Sequence, residues 1–104
     1  MNMGSGIARA VAGVYTGTGA ALDMIGDKVG FKPKRVSIYR MTTSIDKAEH
    51  VEGMADASFL KTAAAGARTL VTTQGVTLKT EGFGLGTDAA INNAGDTYRF
   101  VAEE

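Results

Sequence analysis

The chain has 104 residues, 11 of them basic and 11 acidic, with no cysteine, one histidine, 14 glycines and 44% apolar residues. That length is one domain with one modest core, and the apolar content is that of a globular chain rather than a disordered one. No cysteine excludes a disulfide scaffold, a thiol nucleophile and a thiolate metal site; one histidine excludes the two-histidine metal motifs; zero net charge argues against a general nucleic-acid binder.

The first residues, Met1 to Gly6, are small and polar, and residues 1–12 read as a flexible arm ahead of a single β domain over 13–104. The start lacks the basic region and apolar run of a secretory signal, and no segment approaches the ~20 apolar residues of a membrane span. The expectation is a protein made in a cytoplasm that stays soluble. Arg9 to Gly17 reads RAVAGVYTG and alternates as a strand, with Val11, Gly13 and Tyr15 on one face. Gly17-Thr18-Gly19 is a turn, Ala20 to Ile25 a second short strand, and Gly26-Asp27 its end. Pro33 fixes an ordered turn over Gly30 to Lys34. Arg35 to Thr42 (RVSIYRMT) is the clearest strand, with Val36, Ile38 and Arg40 facing one way and Tyr39 the other.

Thr43 to Asp46 is a loop, Lys47 to Gly53 a strand in preference to a helical turn, Met54 to Ala57 a connector, and Ser58 to Thr62 a short strand. Ala63 to Ala67 is too short to hold a helix alone. Arg68 to Thr73 and Val76 to Thr80 flank Gln74-Gly75, which predicts a hairpin. Gly82 to Gly86 (GFGLG) alternates glycine with large apolar residues, Asp88 to Asp96 is a loop, and Thr97 to Ala102 is the closing strand. About eight short strands with little helix predict an all-β fold, an antiparallel sandwich or barrel. The expected core is Val14, Leu22, Ile25, Phe31, Val36, Ile38, Phe59, Leu70, Val76, Phe83, Ile91, Tyr98 and Phe100. So thin a core makes oligomerisation or docking on a partner a source of extra stability.

Chemistry-bearing patterns are few. Gly17-Thr18-Gly19 and the Gly82, Gly84, Gly86 alternation lack the strand-loop-helix context of a phosphate loop and read as turn and strand glycines; the second set suggests close approach of another backbone or subunit. Asp88, Asn92, Asn93 and Asp96 are oxygen ligands within one loop, but their spacing matches no EF-hand, so turn capping stands ahead of a weak calcium site. His50 sits between Glu49 and Glu52. Ser37, Ser44 and Ser58 have no nucleophile-elbow sequence around them, so His50 reads as a surface or partly buried histidine rather than a general base. No cofactor, metal or catalytic residue is expected, and the chain does not read as an enzyme. Charge is segregated: Lys28, Lys32, Lys34, Arg35 and Arg40 carry no acidic residue among them, whereas Glu81, Asp88, Asp96, Glu103 and Glu104 face Arg99 alone. A solvated surface is one reading; complementarity between subunits or with an oppositely charged protein is the other.

Three segments together carry a resemblance. GVYTGTGAA from Gly13 with VGFKPKRV from Val29, GMADASFLKT from Gly53, and EGFGLGTDAAIN from Glu81 running into NAGDTYRFVAE from Asn93 resemble a group of small tailed-bacteriophage virion proteins. The likeness spans roughly residues 13 to 103 and is a pattern of glycines and aromatics. It implies a β-fold, no catalytic residues and a structural role in a virion. A small member is most like a head decoration (cement) protein that binds the major capsid protein on the head surface; longer relatives carry similar modules in tail fibres, where a receptor or glycan would be the ligand. The implied partners are the major capsid protein and further copies of the chain, as a trimer or dimer, with no membrane and no direct nucleic acid. The residues expected at such an interface are Met3, Ile7 and Arg9 in the arm, Lys32, Lys34 and Arg35 in the basic segment, and Glu103 and Glu104 at the acidic end.

Overall fold

The computed structural model describes residues 9–42 and 45–104. Eight strands form one antiparallel sheet: β1 (Ala10–Thr16), β2 (Leu22–Ile25), β3 (Arg35–Arg40), β4 (Lys47–Val51), β5 (Ser58–Thr62), β6 (Arg68–Lys79), β7 (Gly82–Leu85) and β8 (Thr97–Glu103). Their order is β1-β8-β3-β4-β5-β6-β7-β2, and the sheet curls into a half-barrel. The expected all-β antiparallel fold is therefore met by a single curled sheet. β1 and β2, adjacent in sequence, are its two edges, and residues 17–21 cross from one edge to the other.

The concave side holds the core. Alternation places Val36 and Ile38 of β3 beside Tyr98, Phe100 and Ala102 of β8, and all five are buried. Phe59, Val76, Phe83, Leu85, Met24 and Tyr15 continue the same layer. Phe100 packs edge-on against Phe83, with ring centroids 5.3 Å apart. One mouth of the curl is closed by a single-turn helix, α1 (Ala89–Asn92), which buries Ala90, Ile91 and Asn92. Across the other end runs the segment 26–34, held by the Gly26 and Gly30 amides on the Glu81 carbonyl and by the Lys34 amide on the Glu103 carbonyl. Val29, Phe31 and Pro33 are buried there.

Four expectations are corrected. Val14, Ile25 and Leu70 are not core: they are 56%, 42% and 60% exposed, because their neighbours Tyr15, Met24 and Val71 take the inward phase of each alternation. Gln74-Gly75 is not a hairpin turn. β6 runs through it as one strand, and the pairing with β5 jumps from Phe59↔Val71 to Ser58↔Val76. Gln74 does take a left-handed φ of 57°, as turn residues do, but the resulting bulge carries the strand onward to β7. Asp88 to Asp96 is not all loop, since Asp88 accepts the Ala90 amide and caps α1. Finally, the segment read as an arm over 1–12 overlaps β1, where Ala10, Val11 and Ala12 pair with Glu103, Ala102 and Val101.

Candidate functional site

The described residues among those expected at an interface, Arg9, Lys32, Lys34, Arg35, Glu103 and Glu104, gather at one end of the sheet. β1, β8 and β3 are neighbours, so the start of β1, the end of β8 and the start of β3 meet. Arg9 donates from Nε to Glu104 Oε1 at 2.9 Å and from Nη2 to Oε2 at 2.7 Å, and its guanidinium lies 4.9 Å over the Phe31 ring. That two-pronged bond holds the Glu104 carboxyl below its ordinary range. Arg35 reaches Glu49 at 3.0 Å and Glu103 at 3.7 Å. The two segregated charge blocks thus meet within one chain at Arg35 and Glu103, and Arg9 adds a further cation on Glu104. Lys32 and Lys34 lie on the same rim and form no ion pair among the described residues, while Met3 and Ile7 lie outside those residues.

Other sequence candidates are spent on the fold. His50 is 1% exposed on the inward face of β4, not at the surface, because it shares its phase with Ala48. Its Nδ1 lies 2.7 Å from the Ser58 carbonyl. A carbonyl only accepts, so Nδ1 carries the proton and the ring is held by backbone. Asn92 donates to the Ala20 and Gly86 carbonyls and accepts the Thr18 amide. Asn93 donates to Asp96, whose carboxylate also takes two bonds from Arg40, Nη2 at 2.6 Å and Nε at 3.0 Å. Among the described residues no group of three or more acidic or histidine side chains is placed to hold a metal ion. The glycines of GFGLG meet this chain's own atoms: a side chain at Gly82 would strike the Met24 carbonyl, one at Gly86 the backbone of Gln74, and Gly84 is covered by Lys79 reaching Asp23 at 2.8 Å. The backbone that approaches closely is that of β2 and of the β6 bulge.

What the sequence missed is the convex face. Register places Val14, Arg99, Tyr39, Lys47, Thr62 and Arg68 side by side in one outward row across β1, β8, β3, β4, β5 and β6. With strands ~4.8 Å apart, Arg99 to Arg68 spans about 20 Å. Tyr39 is 36% exposed and Lys47 Nζ lies 5.7 Å over its ring. In the next row lie Ala12, Val101, Ser37, Glu49, Leu60 and the exposed Leu70. Of these two rows and the rim, Glu49 is engaged by Arg35 and by Lys47 at 3.6 Å and Glu103 by Arg35, whereas Arg68 and Arg99 form no ion pair among the described residues. The face is therefore cationic, with an aromatic at its centre and apolar side chains on its flanks. No single strand carries this pattern, so only the strand order reveals it.

Comparison with protein-family models, with curated proteins and with solved structures finds no match to this chain.

Proposed function

We propose that this chain is a non-enzymatic structural protein of a bacteriophage virion, a head decoration (cement) protein that binds the assembled head and stabilises the seams between capsid subunits. The observation that carries the reading is the convex face. A cationic, aromatic-centred and partly apolar sheet surface suits docking on an acidic protein surface, where a central Tyr with flanking Arg supplies most of the binding energy. The resemblance of the Gly13, Gly53 and Glu81 segments to phage virion proteins supports the same role. So does the use of His50, Asn92 and Asp96 in holding backbone and neighbouring side chains, which leaves them no evident catalytic part. The mechanism is mass action: each copy binds the expanded shell and not its dissociated subunits, and so stabilises the shell. Synthesis in the host cytoplasm and residence on the head surface follow from that role.

A second reading, a tail-fibre or tail-surface module for a receptor or glycan, is favoured by one feature. An open trough of about 340 Å³ between β2, β7 and β6 is lined by Asp23, Gln74, Gly75, Thr77, Lys79 and Gly86 among others. Copy number separates the two. Quantitative mass spectrometry of purified particles finding a fixed simple fraction of the major capsid protein supports the head role. A few dozen copies at most, fractionating with tails, supports the other.

A further inference from the structure

The two edges of the sheet differ. β2 is four residues long, carries Asp23 held by Lys79, and runs straight into the 3-10 turn at Gly26–Lys28. Short length and a charge are how natural sheets protect an edge. β1 is seven residues (AVAGVYT), without charge, proline or break in register. Among the described residues its partner lies on one side only.

The ladder says which backbone groups are left over. Just beyond its two ends, the Glu104 amide donates to the Arg9 carbonyl and the Gly17 amide to the Asp96 carbonyl. In the continuous β1–β8 register these are hydrogen-bonded pairs, so odd-numbered residues point their amides and carbonyls at β8. The backbone groups of Ala10, Ala12, Val14 and Thr16 point the other way, to the open edge. Beside that edge lies a groove of about 150 Å³ lined by Gly13, Val14, Tyr15, Met24, Lys28 and Phe100.

We infer that β1 is a homodimer interface, in which β1 of a second copy adds antiparallel to this edge about a two-fold axis at Gly13. The sequence fits that register. Ala10 meets Thr16 of the partner subunit, and Ala12 meets Val14 of the partner subunit. The same pairs recur on the other side of the axis, as a two-fold interface requires. Every residue with free backbone groups then faces another such residue, and outward side chains meet outward side chains. No charge lies within the strand, so no like charges meet. Shifting the register by two residues leaves Thr16 or Ala10 beyond the partner strand. The inference does not depend on what the convex face binds.

Sedimentation equilibrium of the full chain tests this, with two variants at exposed outward positions. The wild type is expected to be a dimer. Val14→Lys is expected to weaken it at least about tenfold by placing a charge on the edge. Adding Ala12→Glu to Val14→Lys is expected to restore the dimer, because only this register brings position 12 of one copy against position 14 of the other and so pairs the new carboxylate with the new ammonium. Far-UV circular dichroism confirms that each variant keeps the fold. A monomeric wild type, a dimer indifferent to Val14→Lys, or a double variant no tighter than the single would overturn the assignment.

Discussion

Tyr15 and Tyr98 face each other across β1 and β8 with rings stacked at 5.1 Å and 10°, and each hydroxyl holds a carbonyl of the one helical turn that closes the curl. Tyr15 donates to Ile91 at 2.6 Å and Tyr98 to Ala89 at 2.8 Å, while Tyr98 also accepts the Asn93 amide. Burial pushes the Tyr15 hydroxyl up from its already high ordinary value, so it keeps its proton and stays a donor at neutral pH. Tyr15→Phe removes the donor for a buried carbonyl and is expected to cost about 1–3 kcal/mol. Tyr98→Phe, which loses two bonds, is expected to cost more. Urea unfolding monitored by circular dichroism measures both.

Gly13 is set by packing. A Cβ there would lie 2.6 Å from Cε2 of Phe100, whose ring is fixed against Phe83. Gly13→Ala is expected to destabilise by about 1–3 kcal/mol through overpacking, although alanine suits a strand better than glycine. The paired variant Gly13→Ala with Phe100→Leu should lose less than the sum of the two singles. Strict additivity in thermal melts would contradict this contact.

Arg40 ties two connections together. Its guanidinium binds Asp96 at 2.6 Å and Asp46 at 3.3 Å, all three side chains being nearly buried. The Arg40 bonds, helped by Asn93, hold Asp96 below the ordinary carboxylate range. A depressed pKa contributes stability that is present above the unfolded value of ~3.9 and is lost as pH falls through the folded value. The melting temperature is therefore expected to drop on acidification below about pH 4. Asp96→Asn should melt several degrees lower at neutral pH, with the gap to wild type closing in acid. The exposed Arg9–Glu104 pair should respond to salt instead, and Glu104→Gln should change the melt little.

Much of this was legible residue by residue. The RVSIYRMT segment shows its inward phase because Val36, Ile38 and Arg40 share it, and the structure turns all three toward the interior side. β1 shows period without phase: AVAGVYT is apolar on both faces, so only pairing with β8 decides that Tyr15 goes in and Val14 stays out, whereas in LDMI the charge of Asp23 marks the outward face that Ile25 shares, opposite the buried Met24. Gln74-Gly75 carries genuine turn chemistry, but whether a left-handed residue makes a hairpin or a bulge depends on which strands pair on either side of it. The charge blocks were visible too. Their meeting within one chain was not, because it depends on β8 lying between β1 and β3. The convex row escaped for the same reason, each of its members coming from a different strand.

Docking through that row is tested most directly by co-sedimenting the purified protein with expanded phage capsids, wild type against Tyr39→Ala with Arg99→Glu. Both positions point outward, so the fold should survive, as circular dichroism can verify. Saturation by wild type at a fixed simple ratio to capsid subunits is predicted, with affinity lowered at least about tenfold in the double variant. Equal binding by the two proteins would remove the convex face from the interaction. No binding of wild type to any shell would contradict the head-decoration role itself.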